Sequence, residues 1–193
     1  MAHFSHPREL STATVQTALG RIRATGAVIY AQAPLMAHVN DDPAVWAALW
    51  RAELAAGVLP YYMFLARDTG PQAYFEVPIA RGWQIFTDAY RTLPGLARTV
   101  RGPVMSTTAG KVIVDGVTGH GPDHRFVLRF LQARNPALVG RPFHARYSPT
   151  ATWLDHLTVP TAEPDDIRQE IAHAAGGTYL HTATEPALAP GAS

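Results

Sequence analysis

Val58-Leu59-Pro60-Tyr61-Tyr62-Met63-Phe64-Leu65-Ala66 is apolar at odd and even positions alike. A strand that alternates has one wet face. A strand without alternation is covered on both, the condition of a parallel sheet flanked by helices. The neighbouring segments agree. Upstream, Asp41 or Asp42 caps a helix with Pro43 at its first position, Val45 and Leu49 on one stripe and Trp46 and Trp50 on an adjacent one, and Gly57 ends it. Further upstream, Ser11 or Thr12 caps a helix carrying Val15, Leu19 and Ile22 on one face; Gly26 stops it and Ala27 to Gln32 reads as a short strand. Downstream, Ile79, Trp83, Phe86 and Tyr90 align at helical spacing between about Val77 and Thr92.

This alternation with short connections predicts an α/β fold. Three or so units are too few to close a parallel barrel, which takes about eight strands. The chain opens on His3-Phe4-Ser5-His6-Pro7, which reads as a strand end running straight into a helix and gives the chain the look of a truncated one. The rhythm then changes. Residues 94–110 read as loop, Lys111 to Val117 and Arg125 to Leu131 as two alternating strands, and 132–160 as irregular. The expected organisation is a barrel-like part over 1–117, a β-rich or irregular extension over 118–160, and a flexible tail over 161–193 with one short helix near Asp166 to Ala175.

Composition narrows the partners. The 193 residues carry a net charge of +1 with 16% charged residues, which points to neither nucleic acid nor an anionic membrane. No apolar run is long enough to span a bilayer and the N-terminus lacks the regions of a signal peptide, so the expected location is cytoplasmic. The chain has no cysteine, so by itself it builds no disulfide, no thiolate-ligated zinc and no iron–sulfur cluster.

Lys111 is the only lysine; the other basic residues are arginines. It sits in the small-residue stretch Ser106-Thr107-Thr108-Ala109-Gly110-Lys111. An amine, unlike a guanidinium, can lose a proton and condense with an aldehyde such as pyridoxal phosphate. An Ala- and Arg-rich chain also simply encodes few lysines, and both readings stand. In parallel α/β sheets, sites collect at the carboxyl ends of strands. Those ends carry His3 and His6, then Gln32, then Arg67 and Asp68. His3-x-x-His6 and the His120, Asp123, His124 group lack a further well-spaced ligand, so no metal site is expected.

The ordered segments His3-Phe4-Ser5-His6-Pro7-Arg8-Glu9-Leu10, Gln32, Val39-Asn40-Asp41-Asp42, Leu59-Pro60-Tyr61-Tyr62 and Gly110-Lys111 resemble the C-terminal half of the lysine 2,3-aminomutase-like radical S-adenosylmethionine proteins. The likeness runs over roughly residues 2 to 117. The stretch from Val127 through Asp155 is similar to the tail of a divergent bacterial branch.

The resemblance implies the C-terminal portion of a partial (β/α) barrel and an isomerase that moves an amino group between adjacent carbons of an amino acid. It implies pyridoxal phosphate on Lys111, S-adenosylmethionine held in part by His3 and Gln32, and a [4Fe–4S] cluster whose cysteines lie in the family's other half. The substrate would meet Arg67 and Asp68. In this family two aspartates stand near the substrate's distal ammonium; here the matching positions are Arg67 and Val104, with Asp68 one step off. That exchange suits a distal anion better than an ammonium. Without cluster cysteines this chain would not start radical chemistry alone, and a separate N-terminal half or a homo-oligomer are the expected partners. The alternatives are a stand-alone protein that binds pyridoxal phosphate or a partner without radical activity, and a non-functional remnant.

Overall fold

The computed structural model describes residues 1–67 and 71–175. Seven strands form one mixed sheet: β1 (Ala2–His3), β2 (Ile29–Leu35), β3 (Val58–Leu65), β4 (Arg101–Thr107), β5 (Gly110–Thr118), β6 (Arg125–Ala133) and β7 (Pro142–Arg146). Their order in the sheet repeats their order in the chain. β1 to β4 run parallel; from β4 to β7 each strand is antiparallel to the last. The helices α1 (Ala13–Ala24), α2 (Pro43–Ala55), α3 (Gln72–Phe75) and α4 (Ile79–Arg91) fall between the parallel strands, and α5 (Asp165–Ala175) follows the sheet. Right-handed crossovers that always step the same way put their helices on one face. The fold is α/β, and no described helix is long and apolar enough to cross a membrane.

Local chemistry sets the helix starts. Thr12 caps α1 by accepting from the Val15 amide, and Asp42 caps α2 by accepting from Ala44 with Pro43 just inside. The helix side of the sheet carries the main core: Ala31, Ala33 and Leu35 of β2, Met63 and Leu65 of β3, Met105 of β4 and Val112 of β5, packed with Trp46, Leu49, Trp50, Ile79 and Ile85. The two tryptophans at helical spacing, 46 and 50, are packing residues as their periodicity predicts, both about 1% exposed.

The opposite face holds a second, smaller cluster of Tyr62, Val104 and Ile113, against which Tyr61, Phe64 and Leu131 pack. Two bulges shape it. Ala31 pairs with Pro60 but Gln32 with Tyr62, so Tyr61 is an extra residue on β3. Lys111 pairs with Gln132 but Val112 with Phe130, so Leu131 is an extra residue on β6. A bulge re-aims side chains locally, and here neighbouring rings 61 and 62 stand 4.2 Å apart.

Two expectations need correction. The stretch 94–110, read as loop, contains the buried strand β4, and 132–160, read as irregular, contains β7. The predicted short helix is present as α5. The remainder of the predicted tail, 176–193, lies outside the described residues.

Candidate functional site

The parallel strands deliver their carboxyl ends to one rim. A cavity of about 480 Å³ opens there, lined by residues that include His3, Gln32, Phe64, Arg67, Phe75 and Lys111. Strand register explains the gathering. His3 pairs with Gln32, and Gln32 with Tyr62, which places His3, Gln32 and Tyr62 in one row across β1, β2 and β3. The Gln32 amide donates to the His3 ring nitrogen at 2.9 Å.

Lys111 reaches the same rim by a different route. The turn Thr108-Ala109 reverses the chain at the end of β4, so β5 begins at that rim and Lys111 lies opposite Ser106. Its Nζ donates to Gln132 Oε1 at 2.8 Å and lies 5.3 Å from the centre of the Tyr62 ring. Arg101 stands over Tyr61 and Tyr62 at 5.2 and 6.0 Å, so two cations flank this aromatic run. Burial, with a bond from Tyr61, pushes the Tyr62 phenol up from its ordinary value while Arg101 opposes that rise. Tyr62 is therefore a neutral ring at physiological pH.

Arg67 follows β3. Its Nε and Nη2 both donate to the Ser106 carbonyl, at 3.3 and 3.2 Å, which ties the ends of β3 and β4 together beside the cavity. Asp68 lies outside the described residues. Val104 is fully buried in the second cluster. His3, Arg67 and Lys111 are the ionisable lining groups, and no carboxylate lines the cavity among the described residues. Phe75 is held by neighbours on both sides: its carbonyl accepts from the Ala37 amide, and Glu76 accepts from Thr152 Oγ1 at 3.1 Å.

Asn40 braces the segment after β2, whose Pro34 and Met36 line the cavity. Buried at 1% exposure, it accepts from the Met36 amide at 2.7 Å and donates to the carbonyls of Ser5 and Pro34 at 2.9 and 3.0 Å. One amide thus joins the ends of β1 and β2. Sequence reasoning did not single out Asn40, Gln132 or Tyr62 as site-building residues; a buried amide in the Val39-Asn40-Asp41 turn was the available signal for the first. His6 caps the turn after β1 through its ring nitrogen and is absent from the cavity lining. No group of three or more metal-ligating side chains occurs among the described residues.

No family model matches the chain. Its sequence is 32% identical over 163 residues to a protein of Aquifex aeolicus named "Putative L-lysine 2,3-aminomutase", spanning 84% of this chain and 42% of that one. It is 29% identical over 110 residues to the L-lysine 2,3-aminomutase of Escherichia coli, spanning 54% of this chain and 32% of that one. The chain thus spans less than half the length of the curated relatives it matches. It is a homologue of the lysine 2,3-aminomutase-like proteins, related to them over most of its own length.

Proposed function

We propose that this chain is the cofactor-lysine portion of an aminomutase-like isomerase that moves an amino group between adjacent carbons of an amino acid, with pyridoxal phosphate carried on Lys111. One observation carries the reading: the only amine side chain of the protein opens onto the cavity that His3, Gln32 and Arg67 share. The lining fits that cofactor. It combines an amine, two further basic groups for anionic substituents, and the apolar faces of Phe64 and Phe75 for a planar ring. When bound, pyridoxal phosphate supplies the π-system that makes migration of an amino group feasible.

The chain's own groups then have distinct tasks. Lys111 offers the nitrogen that anchors the cofactor. His3 and Gln32, fixed to one another, form a polar corner that suits S-adenosylmethionine. Arg67 stands at the substrate end, with Asp68 next to it in sequence, and its charge favours an amino acid whose far end is anionic. Phe64, Phe75 and Pro34 limit water in the cavity. An iron–sulfur cluster does not fit this donor set, because a chain without cysteine supplies no thiolate. The cluster and the radical step belong to residues outside these 193, on another segment or subunit, and this chain alone is inactive in the isomerisation.

The test is direct. The chain is mixed with pyridoxal phosphate, reduced with borohydride and digested. A pyridoxyl adduct on the Lys111 peptide, absent from Lys111→Arg, is expected. Labelling elsewhere but not on Lys111 would overturn the reading.

A further inference from the structure

Lys111 Nζ donates to a neutral partner, the side-chain amide oxygen of Gln132, at 2.8 Å. Two independent features of the backbone bring that amide to the lysine. The β6 bulge at Leu131 puts Gln132 opposite Lys111 in the ladder. Gly110, at φ +138°, lets β6 approach so closely that a Cβ at position 110 would lie 2.0 Å from the Gln132 carbonyl oxygen. The glycine before the lysine therefore has a task in strand packing: it admits the backbone that carries Gln132.

We propose that Gln132 is the positioning residue for Lys111, holding its amine over the Tyr62 ring and aimed into the cavity. The inference rests on Lys111 being the reactive group of the site. A neutral acceptor suits that role. A carboxylate at the same place would pin the ammonium and oppose loss of its proton, whereas an amide oxygen directs the nitrogen with less bias toward the charged form. Seven ion pairs occur among the described residues and none involves Lys111. Among the described residues, the ionisable groups facing it are His3 from β1, Tyr62 from β3 with Arg101 of β4 beyond it, and Arg67 after β3; Ser106 and Gln132 are its uncharged neighbours on β4 and β6.

A single lysine makes the experiment clean. The full chain is labelled with lysine carrying carbon-13 at Cε, so that one side-chain resonance reports on Lys111 as pH is raised. In Gln132→Glu the titration midpoint should move up by about half a pH unit, the size of an exposed ion pair. In Gln132→Leu it should move down, because an acceptor of the charged form has been removed. Two variants that titrate like the parent, or that shift in the same direction, would overturn the role of Gln132. Position 132 is exposed, so neither variant threatens the core. Failure of pyridoxal phosphate to label Lys111 would count against the proposed function alone, since the titration needs no cofactor.

Discussion

The carboxyl of Glu9, in the turn after β1, disfavours ionisation of the buried carboxyl of Glu53 in α2. Glu9 accepts from the Ser5 and His6 amides at 2.7 and 2.8 Å. Glu53 in α2 is 3% exposed; burial, with a smaller contribution from Glu9, pushes its carboxyl up to about 8. Glu53 is accordingly a neutral acid in the folded protein at pH 7.

The raised Glu53 value predicts an unusual pH profile. The folded value lies above the ordinary 4.5, so the stability linked to Glu53 is complete below that value and is lost as pH rises through about 8. The loss is on the order of a few kcal/mol at most. Denaturant unfolding at pH 5, 7 and 9 should show the parent losing stability across this range, and Glu53→Gln should remove that part of the loss. Parallel profiles for the two proteins would refute it.

Gly110→Ala should be costly. The new methyl would meet the Gln132 carbonyl, and φ +138° is unfavourable for an L side chain. We expect a destabilisation of about 2 kcal/mol or more. The Lys111 resonance should also move, because its partner strand has shifted. A folded variant with parent stability and an unmoved resonance would show that β6 can retreat at no cost.

Asn40→Asp tests the brace between β1 and β2. The substitution keeps the acceptor toward Met36 and removes the two donors that reach Ser5 and Pro34, placing a buried carboxylate against two carbonyls. The expected loss is about 3 kcal/mol, larger than for Asn40→Ala at neutral pH. If the alanine variant proves the less stable of the two, repulsion between carboxylate and carbonyls is not what Asn40 prevents.

Thr152→Val deletes a tie between the segment after β7 and the wall of the cavity. Thr152 Oγ1 donates to Glu76, next to Phe75. Loss of this bond should cost about 1 kcal/mol. Phe75 should also loosen, read as a changed ring environment in nuclear magnetic resonance. No change at Phe75 would confine Thr152 to local stability.

Much of the helical frame was legible because its signals are local. Thr12, Asp42 and Pro43 cap and start helices through atoms a few residues away, and the stripe from Ile79 to Tyr90 needs no partner to be read. β4 was not legible. Arg101-Gly102-Pro103 spells a turn by composition, and only pairing with β3 on one side and β5 on the other makes it a strand. The site divides the same way. His3, Gln32, Arg67 and Lys111 were readable from strand-end logic and from family resemblance, and they do share one cavity. Gln132 was not, because its place depends on a bulge and on the gap left by Gly110, neither of which leaves a periodic trace.

The sheet in which spatial order repeats chain order has a consequence for how the molecule is made. Each strand pairs only with strands next to it in the chain, so none waits for a later element beyond its neighbour before it can dock. Each parallel strand docks after the helical crossover that precedes it, and each antiparallel strand after β4 closes only a short connection, so the entropy of assembly is lost in instalments. Such a sheet can grow one strand at a time as the polypeptide leaves the ribosome, and the cavity rim is finished only when the hairpin bearing Lys111 arrives.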